Sequence, residues 1–286
     1  MRDVIVMWRY TKMVVLVALS GAAYVAILVP FKIATIVPGF TEIRPASGIP
    51  VVCGLLFGPA AAWGSAFGNL VGDIFGGTLT PGSIPGFVGN FLVAYVTYRM
   101  WRVLRGDRHP DGHPSQLGWL ALCSVAGGLV CAVVIAFGVA AMGLVPYQVL
   151  ALVITANNCV IGTIVAAILL PILYPLARSF GLLYQDILAP EEYTAGPIGW
   201  VGMILTWAGA GLGLLAAVFV TVANRLAAGV GVPGGQSLLD PQVLVAGIAT
   251  LAVLIGAVLM SPLCGGVAEV VPPSKAPSPD DKSERA

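Results

Sequence analysis

The residues best suited to bind a polar ligand stand in stretches that are otherwise apolar. Ser65, Asn69 and Asp73 follow one another at intervals of four residues, so on a helix their side chains share one face. A carboxylate and an amide are costly within hydrocarbon and are expected to face a partner, a cavity or water. We therefore predict that Asn69 and Asp73 bind a ligand. A structural ion pair or a hydrogen bond at the helix end is the alternative for Asp73.

Further polar side chains are expected in the same half of the molecule as Asp73. They lie in predicted outer loops or within predicted membrane spans, and the full predicted ligand-binding set is Glu42, Arg44, Asn69, Asp73, Thr80, Asn90, Asn157 and Asn158. Neighbouring residues of a helix point about 100° apart, so we expect at most one of Asn157 and Asn158 to face the pocket centre. The alternatives are a solvated loop pair for Glu42 and Arg44, and helix–helix hydrogen bonds for Asn157 and Asn158.

Catalytic and metal-binding patterns are missing from the sequence. It contains no G-x-x-x-x-G-K-[ST] phosphate loop, no H-E-x-x-H motif and no G-x-S-x-G elbow. The five cysteines form no C-x-x-C pair, and both histidines fall in an arginine-rich loop. We predict no catalytic residue, no metal site and no cofactor, and we interpret the cysteines as small buried apolar residues.

The amino-acid composition indicates which kind of secondary structure positions these side chains. Of the 286 residues, 58% are hydrophobic and 9% are charged, and the mean hydropathy is +0.95. Ordinary soluble domains are about 25% charged. This balance excludes a soluble enzyme, a nucleic-acid-binding protein and a disordered chain, and it predicts an all-α polytopic membrane protein.

Eight apolar segments predict eight membrane spans. The second and third are short and interrupted by Gly and Pro, so a re-entrant hairpin competes with two full crossings. The predicted spans are Met13–Ile36, Pro45–Gly58, Pro59–Gly76, Ile84–Leu104, Leu117–Leu144, Tyr147–Leu176, Ile198–Val222 and Val243–Met260.

The basic residues predict the orientation. With the N-terminus inside, eleven of the 14 Lys and Arg residues fall on the inner side, and only Lys32, Arg44 and Arg225 fall outside. We therefore expect a multi-pass protein of the cytoplasmic (inner) membrane with both termini in the cytoplasm. The predicted divisions are a cytoplasmic N-terminus at 1–12, a six-helix domain at 13–178, an interfacial segment at 179–197, a two-helix segment at 198–262 and a disordered tail at 263–286.

Small residues mark two helix faces. Ala18, Ala22 and Ala26 recur every four residues in the first span, and a second row consists of Ala60, Gly64, Gly68, Gly72 and Gly76. Small faces let helices approach closely in lipid. We expect a helix to press against the glycine row. The alanine face predicts either packing within the chain or docking of another subunit.

These motifs resemble a known family. Residues 39–60, GFTEIRPASGIPVVCGLLFGPA, followed by GNLVGD at 68–73, are similar to the substrate-binding S components of energy-coupling factor (ECF) transporters. The resemblance covers about residues 13–178. It implies a six-helix bundle that captures a vitamin or other micronutrient in an outward pocket, with the loops after the first and third helices closing over it.

The same resemblance implies partners. The face of Ala18, Ala22 and Ala26 would dock a transmembrane coupling subunit, and two separate ATPase subunits would drive release. Within the lipid bilayer the S component would topple on docking. The two helices after residue 178 depart from the six-helix pattern. The alternatives are a self-sufficient secondary transporter that uses Asp73 for ion coupling and a membrane sensory module.

Overall fold

The apolar blocks of the sequence form helices in the computed structural model, which describes residues 2–31, 35–37, 41–42, 44–226 and 240–262. The α-helices, numbered along the chain, are α1 (Asp3–Val6), α2 (Thr11–Phe31), α3 (Gly48–Phe57), α4 (Pro59–Phe75), α5 (Ser83–Arg105), α6 (Leu117–Ala141), α7 (Tyr147–Thr155), α8 (Thr163–Ser179), α9 (Tyr184–Ile187), α10 (Pro190–Tyr193), α11 (Gly199–Leu226) and α12 (Pro241–Leu259). A π-helical segment, Ala156–Gly162, joins α7 to α8, and short 3-10 helices span Met7–Arg9, Pro45–Ser47 and Pro114–Gln116. The strands β1 (Thr35–Val37) and β2 (Thr41–Glu42) form an antiparallel hairpin.

The prediction of an all-α polytopic membrane protein is confirmed. In the described parts of the chain, five helical stretches are long and apolar enough to cross a membrane: Thr11–Phe31, Pro114–Ala141, Tyr147–Ile187, Gly199–Val222 and Pro241–Leu259. They coincide with the first, fifth, sixth, seventh and eighth predicted spans. The fourth predicted span forms α5. The predicted tail at 263–286 lies outside the described residues.

The first predicted span is too long. It was expected to reach Ile36, but α2 ends at Phe31 and Thr35–Val37 forms β1, in which Thr35 pairs with Glu42. The three residues of β1 are all β-branched, and such residues favour strands over helices. Apolar character alone does not distinguish this strand from a further turn of helix.

The second predicted span is a short buried helix. α3 has 10 residues, all of them buried, and is followed by Gly58, whose φ of +57° suits a residue without a side chain. At 1.5 Å per residue α3 is about 15 Å long, and the preceding 3-10 turn adds about 6 Å. Because the hydrocarbon core is about 30 Å thick, α3 cannot cross it alone.

Helices that follow one another along the chain are mostly neighbours in space. α2 packs on α4, α4 on α5, α5 on α6 and α6 on α7, while α3 is enclosed by α4, α5 and α8. α11 and α12 pack on each other and on α6, and α11 also contacts α7. The bundle therefore has α2 and α4 on one flank and the C-terminal pair on the flank formed by α6 and α7.

The glycine row of α4 packs against a helix, as predicted, and that helix is α2. A Cβ atom added at Gly64 would lie 2.7 Å from the carbonyl oxygen of Val17, and one at Gly68 would lie 2.9 Å from the ring of Tyr24. An added Cβ at Gly72 would overlap Leu28. The absence of side chains at these three glycines of α4 thus allows the two helices to approach closely.

A buried charged cluster ties four parts of the chain together at one end of the bundle. Arg99 near the end of α5 is fully buried, and its Nη1 lies 3.8 Å from Oδ2 of Asp3 in α1. Arg99 also donates hydrogen bonds to the carbonyl oxygen of Tyr193 (Nη1, 2.7 Å) and to that of Met260 (Nε, 2.7 Å). Arg99 is one of the eleven basic residues counted on the inner side, and its side chain points into the protein rather than into the cytoplasm.

The acidic partner in this cluster is also buried. Asp3 is fully shielded from solvent, which raises the pKa of its carboxyl group, while the charge of Arg99 opposes this shift. The hydroxyl groups of Tyr95 and Ser261 lie 3.3 and 3.5 Å from Oδ1 of Asp3. The start of the chain and the ends of α5, α10 and α12 consequently meet at the same end of the bundle.

Candidate functional site

A cavity lies at the opposite end of the bundle from the Asp3–Arg99 cluster. Ser83, which lines it, begins α5, and Arg99 follows sixteen residues later, about 24 Å along the helix. The cavity contains about 710 Å³ of empty space, its open mouth included. Seven of the eight residues predicted to bind a ligand line it: Arg44, Asn69, Asp73, Thr80, Asn90, Asn157 and Asn158.

The polar side of the cavity is a chain of hydrogen bonds that starts on a loop and ends on α4. Nη1 of Arg44 donates to Oδ1 of Asn69 (3.4 Å), and Nδ2 of Asn69 donates to Oδ2 of Asp73 (3.3 Å). Oγ1 of Thr78 donates to the other carboxylate oxygen (3.4 Å). Ser65, one turn deeper on the same helix face, is buried, and its hydroxyl has no hydrogen-bond partner among the described residues. A cation, an amide and a carboxylate are thus presented side by side.

The π-helical segment supplies both of the adjacent asparagines. The backbone N–H of Arg44 donates to Oδ1 of Asn157 (3.1 Å), so this segment also holds the loop. Both Asn157 and Asn158 line the cavity, and the expectation that at most one of them faces its centre stays a prediction. A π-helix turns less per residue than an α-helix, and neighbouring side chains therefore diverge less. Gly128 of α6 permits this arrangement, because a Cβ there would lie 3.1 Å from that of Asn158.

Two of the predicted residues also have structural hydrogen bonds. Oδ1 of Asn90 accepts a hydrogen bond from the hydroxyl of Tyr24 (3.0 Å), and its Nδ2 donates to the carbonyl oxygen of Gly86 (2.9 Å). Asn90 therefore forms a helix–helix hydrogen bond in addition to lining the cavity. The backbone N–H of Thr80 donates to Oγ of Ser83 (3.3 Å), which shapes the turn before α5.

The eighth predicted residue, Glu42, lies in β2, and its side chain is outside the described residues. Its backbone pairs with Thr35 of β1. In the parts of the chain that the structure describes, no three His, Cys, Asp or Glu side chains are grouped so as to hold a metal ion.

Little in the sequence distinguishes the apolar wall of the cavity. Five apolar or thiol side chains form it: Cys131, Ile135 and Val139 on α6, and Leu150 and Ile154 on α7. They recur at intervals of four residues within helices that are apolar throughout, so no contrast in polarity distinguishes the cavity face from the others. Thr78 was likewise not predicted, although it stands beside Thr80.

A second concave surface, here called the apolar groove, runs along the outside of α2 and α4. Its residues are Trp8, Val14, Val17, Ala18, Gly21, Ala22, Val25, Ala26, Phe67, Gly68 and Val71. Ala18, Ala22 and Ala26 are all exposed in it. Among the described residues no helix covers this face, and docking of another subunit there stays a prediction.

A comparison with known protein families covers the whole cavity and all of the apolar groove except Trp8. The QueT transporter family matches residues 14–175, which is more than half of the chain and includes every residue of the cavity. No curated protein and no solved structure matches the chain. The chain therefore belongs to the QueT transporter family, and it is a membrane S component of an ECF-type uptake transporter rather than an enzyme.

Proposed function

We propose that the chain captures a queuosine precursor, the substrate class of the QueT family, in the cavity between Arg44, Asp73 and Asn157. The observation that carries this proposal is the hydrogen-bonded row of Arg44, Asn69 and Asp73 opposite an apolar wall. Ligand sites for small molecules combine a few convergent polar groups with a mostly apolar lining in this way. The ligand is thus one kind of micronutrient, in agreement with the resemblance to S components.

The chemistry of these precursors suits the cavity. They are 7-deazaguanine bases, whose guanine-like edge carries N–H donors beside a carbonyl acceptor. The Asp73 carboxylate accepts two parallel N–H groups, and the Arg44 guanidinium or an asparagine amide donates to the carbonyl oxygen. The flat ring rests against Ile135 and Ile154. Binding of the base replaces the long hydrogen bond between Arg44 and Asn69.

Substitution of Asp73 tests this assignment. Asp73→Asn keeps the shape of the side chain but presents an amide N–H to the N–H groups of the base, so affinity falls at least about tenfold. The measurement is calorimetric titration of the detergent-purified protein with a 7-deazaguanine base, with adenine as a second ligand. Asp111→Asn, in the loop before α6, is the matched control.

Two results would count against the proposed site. Unchanged affinity in Asp73→Asn removes Asp73 from the ligand contacts. Failure of the unaltered protein to bind any 7-deazaguanine base, while another small molecule co-purifies with it, overturns the substrate class.

The apolar groove is the proposed docking surface for the transmembrane coupling subunit, with two ATPase subunits completing the transporter. Exposed Ala18, Ala22 and Ala26 leave room for the backbone of another helix, and in lipid such close packing drives association. The cavity lies on other helix faces, so a ligand and the coupling subunit bind at the same time.

A bulky side chain in the groove tests docking apart from ligand binding. Ala22→Phe blocks the groove, so ATP-driven uptake into vesicles carrying the whole transporter falls at least about tenfold while ligand affinity stays unchanged. Val15→Phe, at an exposed position of α2 outside the groove, is the control. Uptake that persists in Ala22→Phe shows that docking occurs elsewhere, and uptake driven by a proton gradient without the ATPases shows a secondary transporter.

We also propose an orientation for the chain in the membrane. The Asp3–Arg99 end of the bundle carries the arginine cluster of α5 and the following loop, and basic residues accumulate on the cytoplasmic side of membrane proteins. The cavity then opens to the outside of the cytoplasmic membrane, and both termini lie in the cytoplasm.

A further inference from the structure

The helices α11 and α12 lie beyond residues 14–175, the part of the chain that matches the QueT family. They form a tightly packed pair. A Cβ added at Gly202 would lie 2.6 Å from the carbonyl oxygen of Gly256, and one at Gly209 would lie 2.8 Å from that of Ala249. The two helices therefore pack backbone to backbone, with no room for a side chain at these positions.

This pair covers the back of a helix that forms the cavity wall. On α6, Cys131 and Ile135 line the cavity, whereas Val133 and Phe137 lie about 200° further round and face the other way. An added Cβ at Gly213 of α11 would lie 2.6 Å from a methyl group of Val133. At Gly247 of α12 it would lie 3.1 Å from the ring of Phe137.

Gly213 of α11 also contacts α7. The hydroxyl of Tyr147, the first residue of α7, donates to the carbonyl oxygen of Gly213 (2.9 Å), and the Tyr147 side chain is fully buried. Leu150 and Ile154, on the following turns of α7, line the cavity. The π-helical segment with Asn157 and Asn158 continues directly from α7.

We propose that α11 and α12 brace the substrate cavity by holding α6 and α7 in place, with Gly213 and Tyr147 as positioning residues. This inference rests on the proposed function only in that the cavity is the ligand site. The brace lies on α6 and α7, whereas the apolar groove lies on α2 and α4. It therefore governs ligand affinity and leaves docking of the coupling subunit unchanged.

Two glycines on α11 provide a matched pair of variants. Gly213→Ala forces a methyl group against Val133 and the Tyr147 hydroxyl, whereas a Cβ at Gly211 would meet no described atom within 4 Å. Gly213→Ala is expected to weaken binding of a 7-deazaguanine base by about five- to thirtyfold, because the added methyl group displaces α6 and α7, which line the cavity. Gly211→Ala is expected to bind as the unaltered protein does, and both variants co-purify with the coupling subunit.

A second measurement does not depend on the ligand. Hydrogen exchange followed by mass spectrometry is expected to be faster over residues 147–162 in Gly213→Ala and unchanged in Gly211→Ala, because a displaced α7 loosens the π-helical segment. Tyr147→Phe keeps the ring and removes the hydroxyl, and it is expected to show a smaller change in the same direction.

The two proposals fail in different ways. If the unaltered protein binds no 7-deazaguanine base, the substrate class is wrong, and the exchange experiment alone decides on the brace. If exchange over residues 147–162 is the same in Gly213→Ala and Gly211→Ala, the brace is wrong. Equal affinities of these two variants for a base that the unaltered protein binds also overturn it.

Discussion

Arg44 is the residue that connects the outer loop to two walls of the cavity. Its backbone N–H bonds Asn157 of the π-helical segment, and its guanidinium bonds Asn69 of α4. Only the second bond depends on the side chain. The loop therefore stays attached when the side chain is changed, and the contribution of the guanidinium is separable from that of the loop.

Arg44→Gln is expected to weaken binding of a 7-deazaguanine base by about tenfold, because a charged donor to the carbonyl oxygen is replaced by a neutral, shorter one. Titration of the purified protein measures the change. Arg108→Gln, at an exposed position at the other end of the bundle, should bind normally. If Arg44→Gln and Arg108→Gln have the same affinity, the guanidinium of Arg44 does not contact the ligand.

The residues predicted from sequence were those whose polarity contrasts with their surroundings. Asp73 and Asn69 stand in an apolar helix, so their burial beside a cavity follows from the cost of leaving them in lipid. Cys131 and Ile135 give no such contrast. Asn157 and Asn158 lie in a π-helical segment that packs closely on Gly128 of α6, and no local sequence pattern distinguishes this segment from an α-helix.

At the scale of elements, apolar blocks predicted where helices lie but not which faces meet. The small residues on α2 and α4 have the same spacing and different surroundings. α2 turns Ser20, Tyr24 and Leu28 toward the glycine row, and this leaves its alanines, about 200° away, in the apolar groove. Periodicity identifies a face suited to close packing, whereas the partner is set by the rest of the bundle.

Short elements escaped prediction for a similar reason. α3 spans about half of the hydrocarbon thickness and is enclosed on all sides, so its hydropathy resembles that of a membrane span. The hairpin of β1 and β2 has three and two residues, too few for an alternating pattern. Their length, rather than their polarity, distinguishes α3 and the hairpin from full membrane spans. The length of an element is hard to predict where Gly and Pro interrupt the sequence.

At the scale of the whole molecule, the Asp3–Arg99 cluster joins α1 to the end of α12, the last helix of the described residues. Arg99 bonds the carbonyl oxygens of Tyr193 and Met260, so the segment after α8 and the C-terminal pair are both attached to α5. The brace on α6 and α7 is thereby fixed at this end as well as at Gly213. The Arg99–Met260 hydrogen bond and the contacts of Gly213 thus hold α11 and α12 at two points that are well separated along the bundle.

Removal of one charge from this cluster is expected to destabilise the entire protein. Arg99→Met leaves Asp3 buried without a cation and two carbonyl oxygens without their donor, which costs about 3–5 kcal/mol of unfolding free energy. Thermal unfolding of the purified protein measures the loss. Arg108→Met, which changes an exposed arginine, should unfold at nearly the normal temperature.

Asp3→Asn combined with Arg99→Met should recover part of the loss, because no unpaired buried charge remains. Burial already raises the pKa of Asp3 and so favours its neutral form. A double variant no more stable than Arg99→Met would show that the carboxylate of Asp3 is not what makes the loss of Arg99 costly.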